Sequence, residues 1–139
     1  MADTVLNLTG TTAVFDGAKK LVTHYNVVSD SSGGTTKIVD VSALTKQPGT
    51  NKACSKVRLM KVHFNVSVTA PVDALRMAWD ADTDVTFLTL NGEMEFDYSN
   101  FGGLQNTDAT GVTGDVNLTL PACSNGDSAT VVCEWLKIY

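Results

Sequence analysis

The clearest periodic signal in the chain is the run Lys56–Thr69, in which Val62, Phe64, Val66 and Val68 alternate with Lys61, His63, Asn65 and Ser67. Successive side chains of a strand point to opposite faces, so this alternation predicts a strand with one face buried. Pro71 stops it, because proline cannot donate to a ladder. Ala74–Trp79 predicts a second strand, broken by the turn-prone carboxylates of Asp80-Ala81-Asp82-Thr83-Asp84. Val85–Leu90 and Glu93–Tyr98 flank Asn91-Gly92, a dipeptide that tolerates positive φ, and together they predict a hairpin with a two-residue type I′ turn. On its second arm Met94, Phe96 and Tyr98 alternate with Glu93, Glu95 and Asp97. One face is therefore apolar, and the other is expected to meet solvent or a basic partner.

Earlier segments follow the same logic. Thr4–Thr9, Thr12–Asp16, Lys20–Ser29 and Thr36–Val41 each predict strands, separated by Gly, Asp and Ser clusters such as Asp30-Ser31-Ser32-Gly33-Gly34. Asn100–Gly114 predicts a long irregular loop, Asp115–Leu120 a short strand and Ala129–Tyr139 a final one. No segment of helical period reaches about 12 residues. Thr and Val make up about a quarter of the chain, and both suit a pleated surface better than a helix. The expected fold is therefore all-β with about nine or ten strands and essentially no helix: a single antiparallel β-sandwich, jelly-roll-like, spanning residues 1–139.

Composition narrows the class of partner. With 139 residues the chain can bury roughly 68% of its unfolded surface, enough for a core without metal or disulfides. A net charge of −5 argues against nucleic acid, whose binding rests on Lys and Arg displacing counterions. No apolar run approaches the roughly 18 residues of a membrane-spanning helix, and Met1-Ala2-Asp3-Thr4 does not open a secretion signal. The expectation is a soluble product of the cytoplasm without cofactor. Cys54, Cys123 and Cys133 are odd in number. Cys133 fits a buried strand position, whereas Cys54 and Cys123 sit in loop-like contexts. A Cys123–Cys133 bridge across a short hairpin is geometrically open, but reduced thiols are the default in that compartment.

Candidate chemistry is sparse. Asp80, Asp82 and Asp84 place hard oxygen ligands at alternate positions, as Ca²⁺ sites do, but the EF-hand frame fails at Val85 and Asn91. A looser site would need Asp73 or Asp108; an exposed turn is the simpler reading, and no metal is assigned. His24 and His63 stand apart without the context of a zinc or nucleophile motif. No Gly-x-Ser-x-Gly and no phosphate-binding glycine loop occurs, so a non-enzymatic role is expected. The sequons at Asn7, Asn65 and Asn117 each fall inside an expected strand and are read as unmodified.

Two features point to assembly. Residues 1–16 carry Val5, Leu6, Leu8, Val14 and Phe15 with almost no charge, which suits either an N-terminal arm packed on a neighbour or an ordinary first strand. Tyr98-Ser99-Asn100-Phe101-Gly102-Gly103-Leu104 puts Phe101 and Leu104 in a loop, either as an exposed anchor for a protein surface or as a lid folded over one end of the sandwich.

The segments Ile38-Val39-Asp40-Val41-Ser42-Ala43-Leu44, Trp79-Asp80-Ala81-Asp82, Asp97–Leu104 and Thr113-Gly114-Asp115-Val116 resemble small virion structural proteins of tailed bacteriophages, over roughly residues 20–139. The resemblance implies an all-β protein without catalytic residues that decorates or cements the outer surface of the head. Its partners would be the major capsid protein and copies of itself, as a homo-trimer or another homo-oligomer. A tail component (tube, baseplate or fibre domain) is the alternative in the same class. Outside it stands a calcium- or carbohydrate-binding module, to which Trp79, Tyr98 and Trp135 would contribute.

Overall fold

Alternation in the sequence becomes alternation in burial. In the strand Lys20–Val28, Leu21, Thr23, Tyr25 and Val27 point inward; in Ser128–Ile138, Ala129, Val131, Cys133, Trp135 and Lys137 do so. The computed structural model describes residues 4–5, 13–106 and 111–139. It contains ten strands: β1 (Thr4–Val5), β2 (Ala13–Asp16), β3 (Lys20–Val28), β4 (Gly34–Val39), β5 (Lys56–Ser67), β6 (Leu75–Trp79), β7 (Val85–Leu90), β8 (Gly92–Asp97), β9 (Val116–Leu120) and β10 (Ser128–Ile138). The only helical elements among the described residues are single 3-10 turns at Val41–Ala43, Pro71–Asp73 and Ser99–Phe101.

All strand pairs are antiparallel and form two sheets, as the sequence predicts. One runs β1-β3-β10-β5-β8, with β2 also pairing β3; the other runs β4-β9-β6-β7. The chain changes sheet at the same end of the molecule four times, from β3 to β4, β5 to β6, β7 to β8 and β9 to β10. Sequence neighbours there are partners across the core, not within a sheet, and the result is jelly-roll topology. Between the sheets lies a single core, with Leu21, Leu59, Leu75, Met77, Leu118, Leu120 and Trp135 fully buried.

This topology overturns the expected Asn91-Gly92 hairpin. β7 pairs with β6 and β8 with β5, so the two segments flanking Asn91-Gly92 belong to different sheets. Only Gly92 has positive φ (82°), where a type I′ turn needs it at both central residues. A one-residue link turns the chain through the corner of the sandwich without laying the strands side by side. Tertiary pairing outcompetes the local turn preference.

Polar clamps close both ends. At the crossing end the Asp127 carboxylate accepts from Thr69 N (3.1 Å), Thr69 Oγ1 (3.0 Å) and Ser124 N (3.2 Å), while Ser29 N donates to Asp127 O (2.7 Å). These bonds tie the ends of β3 and β5 to the β9–β10 link, and the backbone bond from Thr69 leads the effects that hold the carboxyl of Asp127 below its ordinary range. At the opposite end the Lys137 side chain is fully buried and its ammonium meets three acceptors: the carboxylate of Asp16, Gly17 O (2.7 Å) and Thr45 O (3.2 Å). An ammonium has three donors, so the site satisfies it completely. Burial pushes the Asp16 carboxyl up, but hydrogen bonds from Lys137 and Thr45 outweigh it and the net shift is downward.

Truncating one partner of such a pair strands the other, so Lys137→Ala is expected to lower stability by about 3–5 kcal/mol in denaturant unfolding, and Lys137→Met, which keeps the packing, by less. Because the folded-state Asp16 carboxyl lies below its unfolded value, its contribution is present above about pH 4 and is lost as pH falls through the folded-state value. Stability measured from pH 6 to pH 2 should therefore fall less steeply in Asp16→Asn than in the native chain.

Candidate functional site

Strand β8 is an edge strand, and its apolar side chains are among the exposed hydrophobic groups of the surface. Its register with β5 sets Phe96 opposite Val62 and Met94 opposite Phe64, on the core side of the sheet. Val62 and Phe64 are buried, but Met94 remains 52% exposed and Phe96 36%. The edge position leaves both partly uncovered although they stand on the core side of the sheet. Aromatic rings continue the strip: Phe64 to Phe96 at 5.8 Å between centroids, Phe96 to Tyr98 at 6.1 Å and Tyr98 to Phe101 at 6.0 Å. Burial pushes the Tyr98 phenol up.

The Tyr98–Leu104 segment is a fixed excursion of this edge. Tyr98 N donates to Met60 O (2.8 Å), Gly103 N donates to Tyr98 O (3.0 Å), and Leu59 and Leu104 exchange two backbone bonds of 2.9 Å. A Cβ on Gly103 would stand 2.9 Å from Leu59 O, at φ 91°, so only glycine fits this return to β5. Of the two residues expected at the loop tip, Phe101 is exposed (65%). Leu104 is not an exposed anchor: it packs against the core and is stitched to Leu59. Val5 lies in β1, opposite Val27; Leu6 and Leu8 lie outside the described residues.

The outer face of β8 is acidic. Glu93, Glu95 and Asp97 stand opposite Asn65, His63 and Lys61. Lys61 Nζ lies 2.7 Å from a Glu95 oxygen and His63 Nδ1 3.8 Å from the other. The Lys61 hydrogen bond holds the Glu95 carboxyl below its ordinary value, and the Ser99 hydroxyl and amide do the same for Asp97.

Other candidates dissolve into structure. Asp80 accepts from Thr113 Oγ1 (2.7 Å) and Asn117 Nδ2 (3.4 Å), and Asp84 from Ala81 N (3.2 Å) and Asn117 Nδ2 (3.3 Å). Asp73 sits at the other end of β6, and Asp108 lies outside the described residues. Among the described residues no group of three His, Cys, Asp or Glu side chains is disposed to hold a metal. Trp79 is buried and stacks on Phe87 at 3.9 Å, and Trp135 is buried with Nε1 donating to Thr23 Oγ1 (2.9 Å), so neither offers a face to a sugar ring. Cys54 and Cys123 are buried despite their loop contexts, and none of the three cysteines forms a disulfide. Burial pushes Cys133 up to about 12, which keeps it protonated at neutral pH.

Comparisons of the chain with family models, with curated proteins and with solved structures found no match. The arrangement itself presents an apolar strip beside an acidic row on a strand whose outer edge is unpaired among the described residues. The roles of Phe101 and Leu104 separate by stability: Phe101→Ala should cost no more than about 0.5 kcal/mol in denaturant unfolding, and Leu104→Ala about 2 kcal/mol.

Proposed function

We propose that this protein is a non-enzymatic virion structural protein, a decoration or cement protein that docks on the outer surface of a phage head and stabilises the capsid lattice. The observation that carries the reading is the exposed Met94–Phe96–Phe101 strip on the edge of a rigid sandwich. Aromatic and methionine side chains clustered at a surface are favoured interface anchors. The jelly-roll topology supports the reading by analogy, since viral capsid proteins use it among other functions. The sequence resemblance points the same way.

Docking would stabilise by mass action, because a lattice that binds only the folded chain shifts its equilibrium toward folding. Copies of the chain would assemble as a closed homo-oligomer, a trimer being the proposed form.

The test is co-sedimentation with phage heads prepared without this chain. Saturable binding is expected, with heads surviving a higher temperature when decorated. Phe101→Ala and Phe96→Ser should each weaken binding at least about fivefold, the loss of more than 1 kcal/mol expected of an anchor. Association into tubes or filaments without head binding would move the protein to the tail, and a chain that ignores both would contradict the proposal.

A further inference from the structure

We infer that the free edge of β8 is a strand-addition site, and that its occupant is an extended segment of another protein in which basic residues alternate with apolar ones. The inference rests on β8 as the docking face and names the chemistry of what docks there.

The backbone settles which groups are on offer. Tyr98 N donates to Met60 O, and the β5–β8 register pairs Asp97 with Lys61 and Phe96 with Val62. In an antiparallel ladder hydrogen-bonded and non-hydrogen-bonded pairs alternate. Tyr98, Phe96, Met94 and Gly92 therefore face β5 with their amides and carbonyls. Those of Glu93, Glu95 and Asp97 face outward, where β8 has no strand neighbour among the described residues.

An added antiparallel strand would exchange bonds with Glu93, Glu95 and Asp97, and the residues opposite them would share their face. Those positions favour Lys or Arg. The intervening residues would lie beside Met94 and Phe96, at 52% and 36% exposure, and cover them. The occupant thus reads basic, apolar, basic, apolar, basic.

A second copy of β8 does not fit. In self-pairing across a two-fold axis, same-face residues oppose same-face residues, which would set the acidic row of one copy against that of the other. Among the described residues, the segment of this chain with the required alternation is Lys56-Val57-Arg58-Leu59, inside β5, whose lower half pairs with β10 and with Leu104. The opposite edge of the same sheet ends, among the described residues, in β1 and β2, strands of two and four residues that both pair with β3, whereas β8 has six. Very short edge strands are one way an edge is blunted, so β8 is the longer template for a partner.

The test uses the full chain and two blocked hexapeptides, one alternating lysine with valine and one alternating glutamate with valine, followed by residue-resolved amide exchange. The lysine peptide should bind and slow exchange at Glu93, Glu95 and Asp97, with affinity falling as salt rises; the glutamate peptide should not. Glu93→Lys, a substitution on the exposed face, should weaken the lysine peptide about three- to tenfold and improve the glutamate peptide. The inference is overturned by equal binding of both peptides, by no binding up to millimolar peptide, or by protection elsewhere on the sandwich. A chain that takes the peptide but ignores phage heads would overturn the capsid reading alone. One that binds heads while the Glu93, Glu95 and Asp97 amides still exchange freely would overturn this inference alone.

Discussion

The fold depends on β10 lying between β3 and β5. These are the two most extensive pairings in the molecule, running from Ser128 opposite both Val28 and Ser67 toward Leu136 and Ile138. Without β10 the larger sheet would split into two unconnected halves. Its inward residues also link the layers: Trp135 fills the core and is oriented by Thr23, and Lys137 is seated by Asp16, Gly17 and Thr45. The two pairings join segments from about 60 to about 115 residues apart, so loop closure must precede the reward of burial, and slow folding is expected of such a topology.

The same arrangement makes the two edges of the larger sheet unlike. Among the described residues, the sheet ends next to β3 in the short strands β1 and β2, of two and four residues, and next to β5 in the six-residue β8. Natural proteins blunt an open edge with charge, and the row Glu93, Glu95, Asp97 does so against self-association. It leaves Met94, Phe96 and Phe101 on the surface at the same time. Aggregation is resisted by the charges while a chosen partner is admitted, which is how an interface that discriminates is built.

Much of the fold was legible because strand alternation is a local property. Val62, Phe64 and Val66 declare their face without reference to any neighbour, and the count and class of strands follow from repeats of that signal. Pairing was not legible. Asn91-Gly92 carries the strongest local hairpin chemistry in the chain, yet the partners of β7 and β8 are chosen by the core, and nothing in the dipeptide reports on that. The site suffered the same way. An apolar face on Glu93–Tyr98 reads as a core face until the strand is known to be at an edge, and Leu104 reads as a tip residue until its bonds to Leu59 are seen. Lys137 gave no sign of burial, because its cage is assembled from two distant parts of the chain, Asp16-Gly17 and Thr45. That Phe101 lies in a loop was readable, but the sequence leaves open whether it stands out or folds back, which is decided by the short turn Ser99–Phe101.

The central claim is that β8 is an open edge, and amide exchange of the free chain tests it residue by residue. Gly92, Met94 and Phe96 should be protected through their bonds to β5, whereas Glu93, Glu95 and Asp97 should exchange at close to the rate of unstructured peptide. That alternation within one six-residue strand is the predicted result. Uniform protection across Gly92–Asp97 would mean that the outer edge is already paired, and would contradict the account.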